Sequence, residues 1–268
     1  MPNVAHTIVQ LDHYTAWLRA SGRPQTTIDL RCYHIRRLAR AVPDPLAATT
    51  EQLVDWLAGH AWAPATRRSY RSSLRTYYAW AHITSRITHD PARLLPAIST
   101  RAGIPRPAGE DCISAALTAA EPRVQLMIRL AAQAGLRRGE IAKVRLDDVT
   151  EDLDGWSLRV QGKGDRERLV PLTKALALAL RASEAGWIFP SPGGGHLTPA
   201  HTGKLISRAL GPGVTAHCLR HRFATRAYGA GQDLLSVQQL LGHAKPETTM
   251  IYTQIPAGAK RAIVDAAA

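Results

Sequence analysis

Cysteine is scarce. The three present, Cys32, Cys112 and Cys218, are odd in number and far apart, which gives neither a disulfide framework nor a paired-cysteine metal site. Long apolar runs are also missing. The longest strictly apolar stretch is Ala175–Leu180, far short of the ~20 residues a membrane span needs. The opening residues, MPNVAHTIVQLDHY, carry no basic segment followed by a long apolar one, so no secretory signal is expected and the cytoplasm is the expected location. The glycine-rich turn Ser191–Gly195 lacks the Lys-Ser/Thr that would make it a nucleotide-binding loop. It reads as an ordinary loop.

What the chain does have is positive charge. Its 268 residues carry a formal charge of +13 and a pI near 10.3, with 45% apolar residues. That apolar content supports ordinary cores and excludes a disordered polycation. The length corresponds to about two domains. Residues 1–100 contribute +6 and residues 101–268 contribute +7, so the charge is not a basic tail. A polyanionic partner follows, nucleic acid first.

The first hundred residues read as all helix. Leu11, Tyr14 and Leu18 recur at helical spacing before Ser21-Gly22 and Pro24 stop the run. A second helix is predicted from Thr26 or Thr27 to about Ala41, and Thr49 with Gln52 can form a capping box for a third. Pro64 opens a fourth, in which Tyr70, Leu74, Tyr77 and Ala81 should face the core. Another face of that helix carries Arg68, Arg71 and Arg75, with Arg67 beside them and no acid among them. Such a stripe is usually a solvated face, but without compensating carboxylates it suits a DNA phosphate backbone.

Prolines and glycines between Asp90 and Glu110 mark a linker. The expected organisation is a helical domain over 1–100, a linker over 101–107 and a second domain over 108–268. In the second domain, helical patterns cover Ile113–Leu117 and Val124–Ala134, the latter ending at Gly135, with a brief helix from Gly139. Trp156–Val160 and Leu169–Leu172 alternate around Gly162-Lys163-Gly164-Asp165, which predicts a β-hairpin. Helices resume over 173–185, 198–210, 219–228, 234–241 and 247–252. The fold class is therefore mainly α with a small β-hairpin or sheet.

Four segments carry residue types that together suit one reaction, the breaking of a phosphodiester without hydrolysis. Arg137 follows the helix-ending Gly135, with Glu140 three residues on. Lys163 sits between glycines at the hairpin tip. His217 and Arg220 share one side of a helix, and His243 in Leu241-Gly242-His243 precedes Tyr252. Charge builds on the nonbridging oxygens in the transition state, and two Arg forks match that geometry. Lys163 can protonate the leaving oxygen. Tyr252 can attack and form a covalent intermediate, with His217 or His243 accepting its proton or bonding the phosphate. No carboxylate cluster suited to Mg²⁺ is evident, which speaks against a two-metal nuclease. His217 and His221 have an HxxxH spacing, but Cys218 stands where the zinc-protease motif needs Glu, so no metal or other cofactor is expected. Each residue alone has a plainer reading: a salt-bridged Arg137, a solvated Lys163, a helix-capping Gly242-His243, a core Tyr252.

Taken in order, GLRxxE, VxGKG…VPL, HxLRH, LGH and TTxxYT resemble the tyrosine recombinase, or phage integrase, family, closely over about 106–254 and only loosely before it. The resemblance implies a helical, SAM-like core-binding domain joined to an α+β catalytic domain, clamping double-stranded DNA. It implies site-specific strand exchange through a 3′-phosphotyrosine at Tyr252 and a Holliday junction. Arg137 and Arg220 would bind the scissile phosphate. Lys163 would be the general acid, His217 the base or a phosphate ligand, His243 a further hydrogen-bonding group, and Glu140 a support for Arg137. It also implies a homotetramer on DNA without membrane involvement, with the tail 256–268 docking on a neighbour. Helical patterning from about residue 9 leaves no space for the extra arm-binding domain many phage integrases carry. A phage or mobile-element integrase is the leading expectation. The alternatives are a Xer-like resolvase of chromosome or plasmid dimers, a type IB topoisomerase, and a non-catalytic DNA-binding factor on the same fold.

Overall fold

The computed structural model describes residues 3–42, 44–99, 107–162, 167–231 and 233–242. The chain divides into two compact units, one within residues 1–102 and one within 103–268. No helix among the described residues is long and apolar enough to cross a membrane.

The first unit contains α1 (Asn3–Ala20), α2 (Gln25–Ala39), α3 (Thr50–Ala58) and α4 (Pro64–Ile83). Leu11, Tyr14 and Leu18 are buried on one face of α1, which starts several residues before their periodicity does. Gly22, at φ 66°, ends that turn. Both bonds of the capping box opening α3 are present, Gln52 N–H to Thr49 Oγ1 and Thr49 N–H to Gln52 Oε1. Pro64 occupies the first turn of α4, where its missing N–H costs nothing. Tyr70, Leu74, Tyr77 and Ala81 are all buried. Aromatic rings dominate this core. Tyr14 meets Tyr77 edge to face at 5.2 Å, and Trp62 stacks on Tyr70 at 4.0 Å. His34 packs on the other side of Tyr70 and bonds Ser73 Oγ at 2.8 Å, and burial lowers its pKa to about 4.

The second unit begins with α5 (Glu110–Ala119), α6 (Pro122–Gln133) and α7 (Arg138–Ala142). It continues through β1 (Val149–Asp152), β2 (Gly155–Gln161) and β3 (Glu167–Leu172) to α8 (Lys174–Arg181), α9 (Pro199–Leu210), α10 (Ala216–Gly231) and α11 (Leu234–Leu241). The expected hairpin is there, with Leu158 opposite Val170 and Gln161 opposite Glu167. A third antiparallel strand, β1, pairs with the outer edge of β2. Sequence periodicity missed it because Val149 is its only buried residue. Main-chain pairing, not side-chain pattern, places it. Leu158, Val160, Val170 and Leu172 face a core shared with Met127, Ile128 and Leu130 of α6 and Leu176 of α8. Thr173 and Thr198 cap α8 and α9 through their hydroxyls. Helix α8 stops at Arg181, short of the expected 185, and α10 starts at Ala216 instead of 219. The hairpin tip 163–166, the helix predicted over 247–252 and the tail 256–268 lie outside the described residues.

Candidate active site

The site grows from the turn between α6 and α7. Gly135 adopts φ +65°, and a Cβ there would lie 2.4 Å from the Phe223 ring of α10, so only glycine fits. This close approach lets the Gly135 carbonyl accept a hydrogen bond from Arg220 Nη1 at 2.5 Å. Arg137 follows in extended conformation at the start of α7, and Glu140 reaches back to accept from its backbone N–H at 2.9 Å and its Nη1 at 2.7 Å.

Glu140 is the hub of the site. Arg168 of β3 binds it with both terminal nitrogens, at 2.8 and 3.1 Å, and Arg220 Nη1 lies 3.8 Å away. The same three guanidiniums hold the C-terminal end of α11. Arg168 Nε donates to the Leu240 carbonyl at 2.8 Å, Arg220 Nη2 to Leu241 at 2.6 Å, and Arg137 Nη2 to Gly242 at 3.3 Å. Those carbonyls lack helical partners and carry the negative end of the helix dipole. Gly242 ends the helix in the left-handed conformation, φ 60°. Burial by itself raises the Glu140 pKa, but bonding to Arg168 and to Arg137 more than offsets this and holds it below the usual 4.5. Three cations around one carboxylate leave the cluster positive.

His217 lies on α10 one turn before Arg220. Its Nε2 is 2.8 Å from Nε2 of His221, so when both rings are neutral one donates and the other accepts. Partial burial, then the Arg220 and Arg137 charges, lower the His217 pKa below 6.5. Burial, then His217 and Arg220, bring His221 to about 4. Arg137, His217 and Arg220 line one cavity of about 560 Å³ with Arg138, Lys204 and Ser207. Among the described residues, no carboxylate is in its lining.

Four of the expected residues therefore come together: Arg137, Glu140, His217 and Arg220. Lys163, His243 and Tyr252 lie outside the described residues. Of the described segments that flank them, β3, which follows Lys163, reaches this cluster through Arg168, and Gly242, which precedes His243, reaches it through Arg137. Arg168 was not singled out from the sequence. Its signal was there, since alternation along β3 puts it on the same face as buried Val170 and Leu172, and a cation on an inward face requires a partner.

In the first unit, the arginines of α4 divide. Arg67 Nη2 donates to the His60 carbonyl at 3.1 Å, and Arg71 clamps the Leu95 carbonyl at 2.7 and 3.2 Å. Arg68 and Arg75 are exposed. Arg68 lines a shallow groove with Arg31, Ser69 and Ser72.

Residues 110–257 match the Phage integrase family. The chain is 33% identical over 248 residues to tyrosine recombinase XerD of Caulobacter vibrioides, covering 82% of this chain and 81% of that protein. Two solved structures share the fold. A lambda integrase dimer bound to a COC′ core site is 21% identical, with a TM-score of 0.74 over 93% of this chain and 95% of the other. A lambda integrase tetramer bound to a Holliday junction is 22% identical, with a TM-score of 0.72 over 89% and 77%.

Proposed function

As this chain belongs to the phage integrase family of tyrosine recombinases, we propose that it exchanges DNA strands at specific sites through a covalent phosphotyrosine at Tyr252. The observation that carries this reading is the anchoring of Arg137 and Arg220. Both are held from behind by Glu140 and backbone carbonyls, yet both line a cavity to which no described residue adds a carboxylate, next to His217. Fixed donors of this kind stabilise charge on the nonbridging oxygens without reorganising as it develops.

In the proposed step the Tyr252 hydroxyl oxygen attacks the scissile phosphorus and gives its proton to His217, or to His243. The bond from phosphorus to the 5′ oxygen breaks as Lys163 protonates that oxygen. The products are a 3′-phosphotyrosine and a free 5′-hydroxyl. One ester replaces another, so the reverse step with a different 5′-hydroxyl completes strand exchange without an external energy source. His217, kept neutral at pH 7, is suited to accept a proton or to donate to the phosphate. Exposed Arg68 and Arg75 on α4 are assigned to the phosphate backbone, Arg67 and Arg71 to holding the first unit together. By likeness to the lambda integrase tetramer on its junction, the working assembly on DNA is a homotetramer acting through a Holliday junction.

Integration and excision of a mobile element is the role we assign. One observation favours a second role, the resolution of DNA dimers: the XerD relative matches over four-fifths of both chains. Sequencing the junctions the protein makes in cells separates the two, since a single repeated chromosomal or plasmid site would favour resolution. The chemistry itself is tested with a nicked suicide duplex carrying the target site. The wild-type protein becomes covalently attached, and Tyr252→Phe binds without attaching. A Tyr252→Phe protein that still attaches would refute the assignment, and a wild type that binds but never attaches would indicate a DNA-binding factor.

A further inference from the structure

The cavity that holds Arg137, His217 and Arg220 has a second cationic part that the reaction above does not use. Arg138, on the first turn of α7, and Lys204, on α9, both line it, and both are exposed. Neither makes an ion pair with any described residue. Glu140, the nearest carboxylate in sequence, is committed to Arg137 and Arg168.

Helix α9 is shaped around Arg138. Gly203 sits in the middle of this twelve-residue helix, where glycine is destabilising relative to alanine. Its φ is not in the left-handed region, so the backbone does not require glycine there. Room is what a side chain there would take from Arg138: a Cβ at 203 would come within 3.1 Å of Arg138 Cδ and 3.5 Å of its Nη1, so the arginine stem would have to shift to admit one. The missing side chain gives the Arg138 stem a bed on α9, beside Lys204. Ser207, one turn along the same helix, adds a hydroxyl to the lining.

Two exposed cations and a hydroxyl beside Arg137 and Arg220, with no acid among the described lining residues, suit a second anion next to the first. We propose that Arg138, Lys204 and Ser207 bind the DNA phosphate adjacent to the scissile one on the same strand, with Gly203 as the residue that seats Arg138. This rests on the recombinase reading. It adds a grip beside the reacting group that fixes the strand's register on Tyr252.

The test uses the full chain carrying Tyr252→Phe, so that binding is measured without cleavage. Arg138→Ala/Lys204→Ala is compared with its parent on duplexes whose single phosphates on either side of the cleavage point are replaced by uncharged methylphosphonate. The slope of log affinity against log salt is expected to fall by about 1 in the double variant, for the one phosphate that both cations contact. Methylphosphonate at one neighbouring position should weaken the parent about tenfold and the double variant less than twofold. Gly203→Ala, which keeps both cations but crowds Arg138, should lose part of the same methylphosphonate sensitivity. An unchanged salt slope, or equal methylphosphonate penalties in parent and double variant, would overturn the proposal. Thermal melting of each variant guards against misfolding, and a melted variant is replaced by Arg138→Gln/Lys204→Gln. Absence of covalent attachment by the protein with Tyr252 intact would instead strike the recombinase reading itself.

Discussion

Replacing Glu140 by Gln tests how the site is held together. The carboxylate accepts four hydrogen bonds: Oε1 from Arg137 Nη1 and Arg168 Nη1, and Oε2 from the Arg137 backbone N–H and Arg168 Nη2. A glutamine fits the same space but presents an NH₂ where one oxygen was, and that NH₂ meets two donors. Two bonds to a charged group are lost, at about 1.5–3 kcal/mol each, or about 3–6 kcal/mol together. Breaking a buried ion pair from one side gives a similar figure, about 3–5 kcal/mol, and here Arg168 and Arg220 are 11% and 2% exposed and cannot move out to water. We expect a loss of about 3–5 kcal/mol in the second unit, a large share of a typical domain's stability. Amide hydrogen exchange of β2 and β3 in rising urea reads that unit specifically. Because the folded Glu140 pKa lies below 4.5, its contribution is complete above pH 4.5 and disappears as pH falls through the folded value. The gap between wild type and Glu140→Gln should therefore stay constant from neutral pH down to about pH 5 and close below it. A loss under about 1 kcal/mol, or a gap that does not change with acid, would refute this account of the hub.

Gly135→Ala should destabilise the second unit by about 2–5 kcal/mol, combining a left-handed backbone penalty of roughly 1–2 with overpacking against Phe223; urea unfolding checks it, and a cost below about 1 kcal/mol would show that the turn relaxes freely. Single-turnover covalent attachment should keep its rate from pH 8 down to pH 6.5 and decline only below that, because His217 titrates below 6.5; a limb above pH 7 would remove it as the proton acceptor. Lys163→Ala should slow attachment to an ordinary duplex by about 10²–10⁴-fold and act near the wild-type rate on a duplex with a 5′-thio leaving group, which needs little protonation. Failure of that rescue would count against Lys163 as the acid.

Local signals carried the sequence reading a long way where structure is local. The capping box at Thr49 and Gln52, the proline opening α4, and the glycines ending helices at 135 and 242 each act through a few neighbouring backbone groups, and each stands where the pattern puts it. Strand β1 was not legible because its partner is backbone, and its side chains show no alternation. The hub at Glu140 was legible only in part. The pair Arg137–Glu140 lies within one turn, but Arg168 and Arg220 reach the same carboxylate from 28 and 80 residues away in the chain, and no local period records that. The α4 arginines make the same point from the other side. One stripe of four looked uniform, yet Arg67 and Arg71 bind carbonyls that only the folded unit brings near.

The central claim is that Tyr252 carries the covalent link to DNA. It is tested most directly by trapping the protein on a suicide duplex, digesting the adduct with nuclease and trypsin, and locating the nucleotide remnant by mass spectrometry. Residues 227–260 form one tryptic peptide with two tyrosines, Tyr228 and Tyr252, so fragmentation decides between them. The account predicts a 3′-phosphonucleotide on Tyr252 alone. A remnant on Tyr228 or on any other residue would contradict it.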